Sequence, residues 1–370
     1  MKKVLLLSCS TGQGHNSCAK AIKEYFLLQG VTCELWDVLD FISVRLAAFI
    51  SWGHSFVYRH LPGLFQWGYT YCEKKPSILA DGSFVYNFLA SRTEKLRQYI
   101  VEEEYDTVIC THQIAAIMLD NIQKNSAIAV PGAFVATDYT CYPGLYACYL
   151  EKNFIASQLQ IEAFVQCGIP PDKLMVSGIP VRPEILQHRE KAAAKRQLGI
   201  KENSIDLLIM FGSMGCGPMK KILRHIVEKL PEQAEVSVIC GSNQRLYRSL
   251  KRQYGTDRRI HIVGYTDKIS LYMDAADLYL TKPGGISVTE AAVKNLPMVF
   301  INTVAGCEEY NMDFFLKMGA AVTADTPEQV AAKSIDLLHS PAKRQEMEEE
   351  LRRYSQPNGA AHIYQVLQQE

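Results

Sequence analysis

Two successive series of short apolar runs, each run ending in a small-residue loop and passing into a helical period, constrain this chain more than any other feature. The first series opens with Val4 to Ser8, stops at Ser10-Thr11-Gly12-Gln13-Gly14-His15, and continues into Ala19, Ile22, Tyr25 and Phe26 at helical spacing. Further apolar runs follow at Val31 to Val38, Thr107 to Thr111, Ala127 to Thr137, Phe154 to Ser157 and Leu174 to Gly178. Strands that alternate with helices pair in parallel and are covered on both faces, so this half reads as a doubly wound α/β domain. The prolines of Gly178-Ile179-Pro180-Val181-Arg182-Pro183 interrupt the series, and a charged helix is expected from Glu184 to Leu198. The alternation restarts with Leu207 to Phe211, Val236 to Cys240, Ile260 to Val263, Leu278 to Thr281 and Met298 to Ile301, a second doubly wound domain. The pattern predicts domains at 1–180 and 181–356, with a last helix within 357–370 that crosses back onto the first.

A length of 370 residues agrees, because a single core stops growing below that size. Lys+Arg and Asp+Glu balance at 39 each, which leaves no global basic field to hold nucleic acid; any membrane contact has to be local. The 11 cysteines are scattered, with no Cys-x-x-Cys pair and no Cys/His spacing for a tetrahedral zinc site, so reduced thiols in a cytoplasmic setting are expected and no metal is assigned. The start, Met1 to Cys9, mimics a short signal segment, but its apolar core is too short and a buried first strand is the better reading. No apolar run reaches the length that spans a bilayer.

The loops between strand and helix carry the candidate chemistry. In Ser10 to His15 the glycines, Gly14 among them, allow a ligand to approach the backbone beside a helix N-terminus. As a dinucleotide fingerprint the loop is poor, since Ser17 stands where a third glycine belongs, although Asp37 follows the second strand at a tolerable distance. A tight turn in which His15 merely begins a helix is the plain alternative. Phe211-Gly212-Ser213-Met214-Gly215-Cys216-Gly217-Pro218 repeats the arrangement in the second half, with Pro218 expected in the first turn of the next helix. Here too the glycines suit either a phosphate or sugar near the backbone, or a structural turn.

Thr281-Lys282-Pro283-Gly284-Gly285-Ile286-Ser287-Val288-Thr289-Glu290 ends a strand and opens a helix. Gly284 and Gly285 expose N–H groups, Ser287 and Thr289 can cap or donate, and the helix dipole favours a pyrophosphate. Glu290, expected in the first turn, suits the two hydroxyls of a ribose, or else simply stabilises the helix start. Tyr265 lies at a strand end whose peptide groups can read a base edge, and Gly306-Cys307-Glu308-Glu309-Tyr310-Asn311 gathers acids and an amide suited to sugar hydroxyls or to capping. A separate stretch from Phe49 to Tyr71, with Trp52, Phe56, Phe65 and Trp67 among its rings and Arg45, Arg59, Lys74 and Lys75 around it, fits either a headgroup boundary or an ordinary core.

On these residues the chain resembles glycosyltransferase family 28 of the GT-B fold, in the branch of monogalactosyldiacylglycerol synthases and processive diacylglycerol glucosyltransferases, with the peptidoglycan transferase MurG more distant. Ser10 to His15 resembles the family's glycine loop ending in His, Thr111-His112 its Thr-His step, and Ala136-Thr137-Asp138-Tyr139 its Thr-Asp motif. Gly178 to Pro183 is similar to its linker, Lys282 to Ala292 to its donor motif, and Gly306 to Asn311 to its Gly-Gln-Glu-x-Gly-Asn segment. This chain departs from the lipid-using relatives at Tyr142 and Leu145, where they carry His and Trp, and at Cys307 and Tyr310.

The resemblance implies an inverting, direct displacement in a cleft between two Rossmann-like domains, with a UDP-sugar as substrate and no cofactor. It implies a lipid acceptor such as diacylglycerol, reached by peripheral contact with an anionic membrane. His15 is the first candidate, as base or as acceptor-orienting group, and Asp138 is the second candidate base; the Gly215 and Gly284–Gly285 loops are assigned to the departing diphosphate, Ser213 to donor binding, and Glu290 to the ribose. A UDP-N-acetylglucosamine 2-epimerase shares the donor grammar, and a non-catalytic UDP-sugar sensor would keep the donor site; the Phe49 to Tyr71 stretch argues against the first, and His15 with Asp138 against the second.

Overall fold

The computed structural model describes residues 1–10, 13–43, 52–53, 56–57, 61–75, 82–125, 128–142, 145, 150–301 and 306–369, without the side chains of 62, 65, 66, 69, 72 and 73. The chain divides into two compact units, one of Met1–Pro183, Val304–Cys307 and Gln356–Glu370, the other of Glu184–Thr303 and Glu308–Ser355.

The first unit is a sheet of six parallel strands, β1 (Lys3–Ser8), β2 (Thr32–Asp37), β3 (Thr107–Cys110), β4 (Gly132–Val135), β5 (Lys152–Ile155) and β6 (Leu174–Val176), in the order β2-β1-β3-β4-β5-β6. Val4 to Leu7 of β1 are wholly buried because helices cover both faces, and each such side chain stabilises the fold by about 1.5–3 kcal/mol. The Gln13–Leu28 helix turns Cys18, Ala19, Ala21, Ile22 and Phe26 inward.

Strand ends are shorter than the apolar runs suggest, and the causes are local. Asp37 ends β2 by capping a 3₁₀ turn at Val38–Phe41, Pro131 cannot donate to a ladder, and Ser157 becomes a cap that accepts from the Leu159 N–H. The single helix expected over Glu184 to Leu198 is two, Pro183–Leu186 and Lys191–Leu198, because the Glu190 carboxylate accepts from the Ala193 N–H at 2.8 Å and starts a new helix there.

The second unit contains β7 (Ile205–Met210), β8 (Ala234–Ile239), β9 (Ile260–Val263), β10 (Leu278–Thr281), β11 (Met298–Phe300) and β12 (Ala321–Thr323), all parallel, in the order β12-β11-β10-β7-β8-β9. Asp277 anchors the start of β7 by accepting from the Asp206 N–H, from Lys191 and from Lys195. In each sheet the strand order reverses beside the first strand, between β1 and β3 and between β7 and β10. The loops leaving those four strands therefore open at the edge where doubly wound sheets bind ligands. Among the described residues no helix is long and apolar enough to cross a membrane.

The carboxyl-terminal helix, Gly359–Gln368, returns to the first unit. Tyr364 packs edge-on against Phe26 at 5.3 Å and Tyr25 at 5.9 Å, and the Ser177 carbonyl lies 3.1 Å from His362 Nδ1. This return depends on Gly178, whose φ is +82° and whose hydrogen faces the Gln356 carbonyl: a Cβ there would lie 2.3 Å from that oxygen. Gly30 shares the left-handed backbone, φ +79°, with open space around it. Gly30→Ala is therefore expected to cost about 1–2 kcal/mol of backbone strain alone, and Gly178→Ala about 1–3 kcal/mol more from overpacking. Denaturant unfolding of the two variants measures the difference; equal losses would mean the Gln356 contact is dispensable.

Candidate active site

In the first unit the loop after β1 is fastened from two sides. Asp37 accepts from the Ser10 N–H at 2.8 Å and from the Leu39 N–H at 2.9 Å, so each oxygen of this carboxylate holds a backbone N–H. The Ser8 hydroxyl donates to Asn16 Oδ1 at 2.6 Å, and Asn16 Nδ2 donates to the Ser10 hydroxyl at 3.2 Å. Thr11 and Gly12 lie outside the described residues. The helix begins at Gln13, which puts Gly14 and His15 in its first turn.

His15 Nδ1 stands 2.8 Å from the Thr111 carbonyl and 2.9 Å from the Thr137 hydroxyl. A carbonyl only accepts, so Nδ1 carries the proton and Nε2 is the basic nitrogen of the neutral ring. The His112 ring meets His15 edge-on at 4.6 Å, and His112 Nδ1 accepts from the Ile114 N–H at 3.1 Å. Burial lowers the His15 pKa from its ordinary value, against opposing contributions from the Asp138 charge and the Thr111 bond.

Asp138, partly buried at the end of the segment after β4, accepts from the Tyr142 hydroxyl at 2.6 Å. The Tyr142 oxygen lies 2.8 Å from the Thr137 hydroxyl, and both residues are buried. Burial first, and the Asp138 charge second, push the Tyr142 phenol well above its usual range. His15 and Asp138 thus belong to one hydrogen-bonded group together with Thr137 and Tyr142. Tyr142, a departure from the family motif, is its central member.

In the second unit the loops after β7 and β8 meet backbone to backbone. Gly215 has φ +55° and a Cβ there would lie 2.1 Å from the Cys240 carbonyl; Gly241, φ +57°, faces the Ser213 carbonyl at 2.2 Å in the same sense. The Ser242 N–H donates to that Ser213 carbonyl at 2.9 Å, and Asn243 Nδ2 donates to the Gly215 carbonyl at 3.1 Å. The contact with the neighbouring loop explains why Gly215 is glycine, while the Ser213 residue remains exposed. Pro218 is the N-cap of the Met219–Lys229 helix and not inside its first turn.

After β10 the Gly285–Val293 helix starts from Gly284 as N-cap with no side chain capping it, so its first N–H groups lack intrahelical acceptors. Ser287 does not cap: its hydroxyl pairs with the Tyr279 hydroxyl at 2.7 Å, while Thr289 donates to the Gly285 carbonyl. Glu290 falls in the second turn, because the helix begins at Gly285, and it is 5% exposed; a role in stabilising the helix start is thereby removed. Asn311, fully buried, donates to the Pro283 carbonyl at 2.9 Å and so braces the glycine loop from below. Glu308 and Glu309 occupy the first turn of the Cys307–Lys317 helix, and Tyr265 after β9 is 75% exposed.

The aromatic stretch is solvent-facing where it is described. Trp52 and Phe56 stack at 5.2 Å, and Trp67 and Tyr71, one turn apart on the Pro62–Lys74 helix, stack at 5.5 Å. Trp52 and Trp67 are 61% and 64% exposed, which a core would not leave. Lys75 lies over the Tyr71 ring at 5.1 Å. The Phe65 side chain, Arg45 and Arg59 lie outside the described residues.

Residues 15–181 match the family model of monogalactosyldiacylglycerol (MGDG) synthase, and residues 219–354 that of glycosyl transferases group 1. Over 95% of this chain and 88% of the relative, it is 26% identical to a processive diacylglycerol beta-glucosyltransferase of Staphylococcus saprophyticus. A protein of the same description from Bacillus cereus is 28% identical over 99% of this chain and 93% of its own length. Among solved structures, Acinetobacter baumannii MurG superposes with a TM-score of 0.64 at 16% identity, covering all of both chains, which establishes the GT-B fold.

The environment of His15 has a measurable consequence. Since burial lowers its pKa from 6.5, the unfolded chain takes up this proton at a higher pH than the folded one. The stabilisation associated with neutral His15 is therefore complete above the ordinary histidine range and is lost as pH falls through it. Nuclear magnetic resonance titration of the His15 ring is expected to give a midpoint below 6.5; a midpoint at or above that value would contradict the environment described.

Proposed function

We infer that the chain, whose residues 15–181 match the monogalactosyldiacylglycerol synthase family and residues 219–354 the glycosyl transferases of group 1, is a UDP-sugar-dependent hexosyltransferase that glycosylates diacylglycerol by direct inverting displacement. The observation that carries the chemistry is the His15 ring, held through Nδ1 by the Thr111 carbonyl so that Nε2 is the basic atom. In this reading Nε2 takes the proton of the acceptor hydroxyl as that oxygen bonds to the anomeric carbon. The bond from that carbon to the UDP oxygen breaks, and the electron pair leaves with UDP.

The second unit is assigned the donor. The uncapped N-terminus at Gly284 and Gly285 stabilises the departing diphosphate, and Glu290 receives the ribose hydroxyls. Gly215 and Ser213 frame the same ligand through the paired loops, Tyr265 borders the base, and Glu308 and Glu309 address the sugar. Asn311 contributes by fixing Pro283. Trp52, Phe56, Phe65 and Trp67 are assigned to peripheral membrane contact, at a cytoplasmic, anionic surface where Lys74 and Lys75 add attraction.

Three outcomes check this reading. Incubation with labelled UDP-glucose, UDP-galactose or UDP-N-acetylglucosamine and diacylglycerol vesicles is expected to label the lipid; conversion of UDP-N-acetylglucosamine to its epimer with unlabelled lipid would place the chain among the epimerases instead. Glu290→Ala is expected to weaken UDP binding by about 1.5–3 kcal/mol, the worth of charge-assisted hydrogen bonds, and calorimetry showing the parent's affinity would withdraw the ribose assignment. In liposome co-sedimentation the Trp52→Ala/Trp67→Ala variant should lose about 1–3 kcal/mol of partitioning per ring, and binding equal to the parent's would remove these rings from the membrane contact.

A further inference from the structure

We propose that Thr137 and Tyr142 are positioning residues that couple the Asp138 carboxylate to His15 through a one-way chain of hydrogen bonds, so that Asp138 is the anchor of the base and not a rival base. The proposal deepens the reading of His15 as base and rests on it. Its direction follows from the donors and acceptors. Nδ1 of His15 must donate toward the Thr111 carbonyl at 2.8 Å, so the Thr137 oxygen at 2.9 Å from the same nitrogen can only accept from it. The Thr137 hydrogen is then free to point at the Tyr142 oxygen, 2.8 Å away. The Tyr142 hydrogen points at Asp138 Oδ2, 2.6 Å away. The Nδ1 hydrogen is shared between the Thr111 carbonyl and the Thr137 oxygen, each hydroxyl hydrogen is used once, and the carboxylate at the end needs none.

The arrangement performs what an acid directly on the imidazole does elsewhere, with two hydroxyls in between. When Nε2 takes up a proton, each hydroxyl dipole in the chain already points its negative end toward the imidazolium, and Asp138 holds that polarisation in place. Thr137 at 2% and Tyr142 at 7% exposure keep water from competing for the bonds. Titratable groups around His15 are His112, edge-on to the ring, Tyr142, Asp138 and, on its own helix, Cys18, whose thiol burial raises far above neutrality.

The test compares Tyr142→Phe, Thr137→Val and Thr137→Ser with the parent in the full chain. Tyr142→Phe and Thr137→Val should each lower kcat by about 10–100-fold, the worth of a hydrogen bond to a charged group, leave KM for the UDP-sugar unchanged, and move the acid limb of the kcat profile and the resonance titration of His15 to lower pH. Thr137→Ser, which keeps the hydroxyl, should restore both. A His15 titration that moves as expected while kcat stays at the parent's value would uphold the coupling and overturn His15 as base. A kcat and a His15 titration that both stay put in Tyr142→Phe, or a Thr137→Ser variant as impaired as Thr137→Val, would overturn the coupling itself.

Discussion

Burial of parallel strands on both faces is the constraint from which the rest follows. Val4 to Leu7 and Leu207 to Ile209 have no exposed surface at all, so these strands stabilise the fold but have no side chain left for chemistry. Polar function is pushed to the loops at their carboxyl ends, beside the place where the strand order reverses. The same geometry therefore arises twice, once around His15 and His112 after β1 and β3, and once around Gly215 and Gly284 after β7 and β10.

The two halves use those loops differently. In the first unit the loop after β1 is tied down by side chains, Asp37 and Asn16 above all, and its product is a histidine whose tautomer a carbonyl dictates. In the second unit, backbone meets backbone: Gly215 against Cys240 and Gly241 against Ser213 leave no room for a Cβ, and Asn311 braces Pro283 beneath an uncapped helix start. In the proposed reaction such fixed N–H groups need no reorganisation when charge develops on a leaving diphosphate.

Much of this was legible in the residues. The apolar runs located all six strands of the first sheet and five of the second, because the central strands are buried on both faces and read as near-continuous apolar strings, the part-exposed edge strand β2 excepted. The short β12, Ala321–Thr323, was not among them, and strand ends slipped where a polar side chain such as Ser157 turned into a cap. The sequence pattern places Glu290 one turn too early because the helix start depends on backbone geometry at Gly284 and not on composition. His15 and Asp138 stood out by motif, but their connection did not: it runs through Tyr142, and nothing in a lone tyrosine reveals that its hydroxyl faces a threonine on one side and a carboxylate on the other. The reason Gly215 is a glycine was equally hidden, since the carbonyl that demands it belongs to Cys240 on another loop.

The central claim is that His15 Nε2 removes the acceptor proton, and single-turnover kinetics of a His15→Ala variant with bound UDP-sugar and diacylglycerol tests it most directly. The account predicts a fall in the chemical step of about 10²–10⁴-fold, the usual loss for a general base, with UDP affinity unchanged. A rate close to the parent's in the folded variant would contradict it and assign the proton to another group.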